Sequence, residues 1–159
     1  MNIKVIAVGK LKEKYLKEAV LEYAKRLSKY CRLKIVEITD EKLPENRRVS
    51  EEKIAKGKEG QRILKHIHSN MYVIALDVKG RELSSDGFSE FIEDLSIRGK
   101  SNIAFVIGGS LGLSEDVLKR ADYRLSFSSM TFPHQLMRVI LLEQVYRGFR
   151  IIKGEPYHK

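Results

Sequence analysis

Tryptophan is absent from this chain of 159 residues, cysteine occurs once and proline three times. The lone Cys31 excludes an intramolecular disulfide and a cysteine-rich metal centre. With no partner nearby in sequence, it reads as a buried, inert thiol. No apolar run reaches the ~18 residues that span a bilayer. The most apolar window, Leu136 to Leu142, is broken by Arg138. The start of the chain lacks a signal-peptide layout, because charges recur from Lys10 onward. A cytoplasmic protein with no membrane partner is therefore expected. His66 and His68 are two apart, so a helix would face them to different sides, and no metal is expected. Ser128 and Ser129 lack the strand-to-helix elbow of a serine hydrolase.

What is present is charge and alternating structure. The net charge is +9, and it is uneven: Met1 to Asn70 holds 18 Lys and Arg against 10 Asp and Glu, and Met71 to Lys159 holds 12 against 11. Positive charge concentrated in one half suggests either a polyanion partner or a merely solvated surface.

The chain begins with an apolar strand, Ile3 to Val8. A helix from about Glu13 to Leu27 follows, with Leu16, Val20, Tyr23, Ala24 and Leu27 on one face. Leu33 to Ile38 reads as a strand and Thr39 to Val49 as an exposed, mobile loop carrying Arg47 and Arg48. Ser50 is expected to cap a basic helix running to about Ser69, with Lys53, Lys56, Lys58, Arg62 and Lys65 outside and Ile54, Ile63, Leu64 and Ile67 as anchors. Met71 to Leu76 is a strand covered on both faces. Ser84 or Ser85 opens a helix that Gly99 ends. Strand and helix alternate throughout, the pattern of one α/β domain with a mostly parallel sheet and helices on both faces.

The most informative stretch is Asn102 to Arg147. It reads as strand (Ile103 to Ile107), glycine turn (Gly108, Gly109, Gly112), short helix capped by Ser114, strand (Tyr123 to Phe127), polar loop, and long apolar helix (Gln135 to Phe149). The glycine turn sits where a ligand can approach the backbone. It matches neither the dinucleotide fingerprint G-x-G-x-x-G nor a Walker loop. The last helix is apolar almost all round, which predicts burial and points to a dimer interface. On it Glu143 and Arg147 share one face, and His134 and Arg138 another.

Taken together, Gly108-Gly109-Ser-Leu-Gly112-Leu-Ser114, Phe127-Ser-Ser-Met-Thr-Phe-Pro133-His134, Arg138 through Glu143 to Tyr146-Arg147, and Pro156-Tyr157-His158 resemble the RlmH family. These are small SPOUT-class proteins that methylate N3 of a pseudouridine in large-subunit ribosomal RNA. The likeness spans essentially the whole chain, which ends in Lys159 where Arg is often expected. The resemblance implies a C-terminal trefoil knot, against the general rule. It implies S-adenosylmethionine (SAM) held by Leu76, Gly108, Gly109 and the loop Phe127, Ser128, Ser129, Met130, Thr131 and Phe132. It also implies a homodimer in which one subunit's tail completes the other's site, acting on 23S rRNA in the assembled ribosome.

The residues agree with such a role. Leu76, Ile107, Met130 and Leu136 offer an apolar slot for adenine. Methyl transfer needs alignment and the handling of one proton, with no covalent enzyme nucleophile. His158 is the candidate base by residue type. Arg147, oriented by Glu143, is a candidate for stabilising imidate charge, and Tyr157 for stacking on the target base. Pro156 is expected to project Tyr157, His158 and Lys159 outward as a stiff arm. Two other classes stand beside this reading: a non-catalytic ribosome-binding factor using the basic helix, and a nucleotide-binding α/β enzyme using the glycine turn.

Overall fold

The structure is a computed structural model, and it describes residues 1–157. Five parallel strands form one sheet in the order β2-β1-β4-β3-β5. They are β1 (Asn2–Val8), β2 (Arg32–Ile38), β3 (Tyr72–Glu82), β4 (Asn102–Ile107) and β5 (Tyr123–Ser126). The helices are α1 (Lys14–Leu27), α2 (Val49–Leu64), α3 (Ser85–Ile97), α4 (Glu115–Arg120) and α5 (His134–Ile152).

Parallel strands need crossovers, and the crossovers cover both faces, which is why β1 and β4 carry almost unbroken apolar runs. One face packs on α1, α3 and α5 through Ile3, Val5, Ala7, Phe88, Ile103, Phe105, Leu141 and Phe149. The other packs on α2 and α4 through Ile6, Val8, Ile63, Val73, Val106 and Val117. This alternation along β1 follows from the two-residue period of a strand.

Several boundaries differ from the sequence reading. Helix α2 starts at Val49 after Arg48, so Ser50 lies inside it, and it ends at Leu64. Its buried positions are Ala55, Glu59, Gly60 and Ile63, while Ile54 is exposed. The segment before it is anchored at both ends. The Glu41 N–H donates to Glu59 Oε2 and Arg62 to the Thr39 carbonyl, while Arg47 pairs with Glu52. Strand β3 outruns its expected end. Leu125 of β5 faces both Leu76 and Arg81 across a register shift, so residues 77–80 bulge out before the strand resumes. Gly80 allows this, because a Cβ there would lie 2.6 Å from the Arg124 carbonyl oxygen.

Helix α5 is covered more by its own chain than its composition suggests. Leu141, Leu142, Val145 and Phe149 are buried against the sheet, α1 and α3. The stripe that keeps partial exposure runs through Leu136, Ile140, Glu143 and Arg147, of which Leu136 is exposed and the others half-buried.

Candidate active site

A cleft of about 640 Å³ lies at the carboxyl ends of β3, β4 and β5. This is the crevice where open parallel sheets take ligands. Its walls come from the β3 bulge (Leu76 to Lys79), the glycine turn (Ile107 to Leu113), the β5–α5 loop, and His134 and Met137 of α5. Leu76, Gly108, Gly109, Phe127, Ser128, Met130, Thr131 and Phe132 all line the cleft, and Ser129 does not. Ile107 and Met130 of the apolar slot are there, whereas Leu136 sits on the partly exposed stripe of α5.

The glycine turn works differently from the expectation. Gly108 and Gly109 have ordinary negative φ, and only Gly112 needs the left-handed region, at +79°. Gly109 and Gly112 form a one-pair antiparallel bridge. A Cβ on Gly108 would lie 2.9 Å from the Gly112 carbonyl carbon, and one on Gly109 would lie 3.0 Å from Val8 Cγ1. Close packing against backbone therefore requires glycine at 108, and at 109 a side chain would have to displace Val8 of the core strand β1. The helix start is as expected: Ser114 accepts the Val117 N–H, with Glu115 and Asp116 in the first turn.

Residues that sequence reasoning did not place here complete the cleft. Lys56 reaches it from α2, Asp77 and Lys79 from the bulge, and Arg124 from β5. The sequence reading set Lys56 on the outside of a basic helix. His134 lines the cleft half-buried, and burial, aided by Arg138, lowers its pKa. The imidazole is therefore neutral at physiological pH. Arg138 is no interface residue. It is 1% exposed and donates to Glu37 Oε2 at 2.7 Å, to the Gly9 carbonyl at 2.6 Å and to the Val8 carbonyl at 3.3 Å. It ties the first turns of α5 to the end of β1. Gln135 adds a bond from the Lys12 N–H at 3.1 Å.

Glu143, Arg147 and Tyr157 do come together, but away from the cleft. Glu143 Oε1 accepts from Arg147 Nη2 at 2.6 Å and from Tyr157 Oη at 3.1 Å. The Arg147 guanidinium lies 4.7 Å from the Tyr157 ring centre, and Tyr146 meets that ring edge-on. Arg147's pKa is raised, first by the bond to Glu143. Burial and bonds to Tyr23 and Glu143 push Tyr157 up to about 12, so its phenol keeps its proton near neutrality.

The tail is not an outward arm as far as Tyr157. Glu155 is clamped by Tyr30 and Arg150, and Tyr157 folds back on α5. His158 and Lys159 lie outside the described residues. From His134 to Glu143 and Arg147 is roughly 14 to 20 Å along the helix axis, and none of the three patch residues lines the cleft.

The class of this parallel sheet with its strand-end crevice is that of the SPOUT methyltransferases: a family model described as a predicted SPOUT methyltransferase matches residues 1–158. A probable methylase family protein from Haemophilus influenzae Rd KW20 shares the fold, with a TM-score of 0.56, at 13% identity over 99% of this chain and 70% of that one. Ribosomal RNA large subunit methyltransferase H of Clostridium kluyveri is 68% identical over 159 residues, covering both chains completely. The proteins of that name from Alkaliphilus oremlandii and Clostridium botulinum strain Okra are 67% and 66% identical over the same span. The chain belongs to their family, the RlmH family of SPOUT methyltransferases. No helix among the described residues is long and apolar enough to cross a membrane, and no group of His, Cys, Asp or Glu among them is arranged to hold a metal ion.

Proposed function

We propose that this protein transfers a methyl group from SAM to N3 of a pseudouridine in large-subunit ribosomal RNA, on the assembled ribosome and as a homodimer. The observation that carries the reading is the cleft at the strand ends, in a chain matching ribosomal RNA large subunit methyltransferase H end to end.

The cleft fits the donor. Its volume is that of a site for a small organic ligand. Leu76, Ile107, Phe127, Met130 and Phe132 supply apolar surface, and Gly108 and Gly109 line the cleft without side chains. SAM brings an electrophilic methyl group on a sulfonium. The protein's part is to hold donor and base in line, exclude water and accommodate one proton.

Tyr157 stays protonated and is committed to Glu143, so it positions and does not act as a base. Arg147, steered by two N–H bonds to Glu143, presents a fixed cation to an oxygen gaining negative charge. His158, next in the chain, takes the N3 proton. Because cleft and patch are separated within one chain, the working site combines one subunit's cleft with its partner's patch. The partly exposed stripe Leu136, Ile140, Glu143 and Arg147 forms the two-fold contact.

The test is titration with SAM, followed by single-turnover transfer of labelled methyl to ribosomes lacking the modification and to naked 23S rRNA. Binding of SAM with transfer to the ribosome alone is the expected result. ATP or flavin mononucleotide binding in place of SAM refutes the reading in favour of a nucleotide enzyme. Ribosome binding without SAM binding refutes it in favour of a binding factor.

A further inference from the structure

The charges lining the cleft do not balance. Among the described residues Asp77 is its single acidic side chain, beside Lys56, Lys79 and Arg124. That carboxylate is already engaged: Oδ1 accepts the Lys79 backbone N–H at 3.1 Å, and Oδ2 lies 4.0 Å from Arg124 Nη1. The ammonium groups of Lys56 and Lys79 have no carboxylate partner among the described residues.

Lys56 is the more telling of the two. Helix α2 is seated by Gly60, where a Cβ would lie only 2.2 Å from Ser114 Oγ at the start of α4. One turn back, this contact brings Lys56 onto the cleft wall, half-buried, while Lys53 and Lys58 on the same helix are exposed. Neither carboxylate within one turn of it pairs with it. Glu52 pairs with Arg47 at 2.8 Å, and buried Glu59 accepts the Glu41 N–H at 2.9 Å. Glu52 therefore lies one turn before Lys56 without pairing with it. A cation that has given up part of its hydration inside a ligand cleft, with no carboxylate paired to it, favours an anionic group there.

We propose that Lys56, with Lys79, forms an anion subsite of the cleft that neutralises one carboxylate or phosphate of a bound substrate. Resting on the methyltransferase reading, two sources carry that chemistry: the amino-acid carboxylate of the donor and a phosphate of the RNA strand beside the target base. Lys56 is then a specificity-determining residue. It selects a charged ligand at a site whose remaining contacts are apolar and backbone.

The experiment uses the full chain with Lys56→Gln and Lys56→Arg. Calorimetry measures the Kd for SAM and for decarboxylated SAM, which lacks the carboxylate. Single-turnover methylation is then followed against ribosome and salt concentration. If the subsite holds the donor, Lys56→Gln weakens SAM about ten-fold and leaves decarboxylated SAM unchanged. If it holds RNA, both donor affinities stay at wild-type values, the ribosome concentration for half-maximal rate rises about ten-fold, and its salt dependence flattens. Lys56→Arg restores the affected quantity in either case. Wild-type values in every arm for Lys56→Gln overturn the proposal, as does an equal loss for both donors, which marks a general disturbance of the cleft. Failure of the wild-type protein to bind SAM refutes the reading beneath it instead.

Discussion

Replacing Arg138 with Met should weaken both the fold and the cleft, and the structure sets the size of the effect. The side chain is 1% exposed and supplies the donors for the Gly9 and Val8 carbonyls and for Glu37. Met fills much of the volume but donates nothing. Breaking a buried ion pair by removing one partner costs about 3–5 kcal/mol. Here Glu37 keeps 40% of its side chain in solvent, which rehydrates it when the partner goes, so the lower end, about 3 kcal/mol, applies.

That is a large fraction of the ~5–15 kcal/mol stability of a domain. It corresponds to a fall in Tm of roughly 6–12 °C at this chain length. Because Arg138 ties α5 to β1 one turn after His134, SAM affinity should fall as well. The assay is urea unfolding of wild type and variant at one fixed protein concentration, with a pH series.

Glu37 fixes the sign of the pH dependence. Its burial raises the carboxyl's pKa, but bonds from Arg138 and the Leu11 N–H outweigh burial and hold it below the ordinary value. A lowered folded pKa gives stability that is present above the unfolded value of ~4.3 and lost as pH falls through the folded one. The gap between wild type and Arg138→Met should thus be constant near neutrality and shrink below about pH 4. An unchanged urea midpoint at pH 7 refutes the strut.

Gly108→Ala should lower SAM affinity ten-fold or more, because the new Cβ meets Gly112 backbone that cannot swing aside and must open the 109–112 bridge; wild-type affinity by calorimetry refutes this. A chain stopping after Pro156 should fold and bind SAM, being still clamped at Glu155 by Tyr30 and Arg150. Its methyl transfer should fall ~10²-fold or more, and His158→Ala should show much of that loss; full activity of the truncated chain moves the chemistry to Arg147 and Glu143. Cys31 is buried, and desolvation raises its pKa to about 11. It should resist thiol reagents at pH 8 in the folded protein and react on denaturation, and rapid native labelling contradicts this burial.

What could be read in the sequence was local. The serines at 84 and 114 cap helices because each side chain reaches an N–H three residues on, and both caps are observed. The strands announce themselves by apolar runs, and the parallel sheet by alternation with helices. Long-range partnerships were out of reach. Arg138 could be placed only on a helix face with His134, because its partners Glu37 and Gly9 lie about a hundred residues or more away. The β3 bulge escaped notice because it depends on register with β5, which brings Asp77 and Lys79 into the cleft. The open-looking tail was misjudged for the same reason, since Glu155 finds Tyr30 across 125 positions. Lys56 gave only a weak cue, one lysine in a basic helix, and it needed the Gly60–Ser114 contact to set it apart.

The spacing along α5 between the cleft at His134 and the patch at Glu143, Arg147 and Tyr157 has a genetic consequence. Under the proposed two-fold arrangement each catalytic unit draws its donor half and its acceptor half from different polypeptides. A lesion in the glycine turn and a lesion in the tail then disable different halves. Two inactive variants, one of each kind, should rescue each other when coexpressed, since every mixed pair keeps one intact unit and one doubly damaged one. With random pairing about half the dimers are mixed, giving about one quarter of the wild-type number of working units.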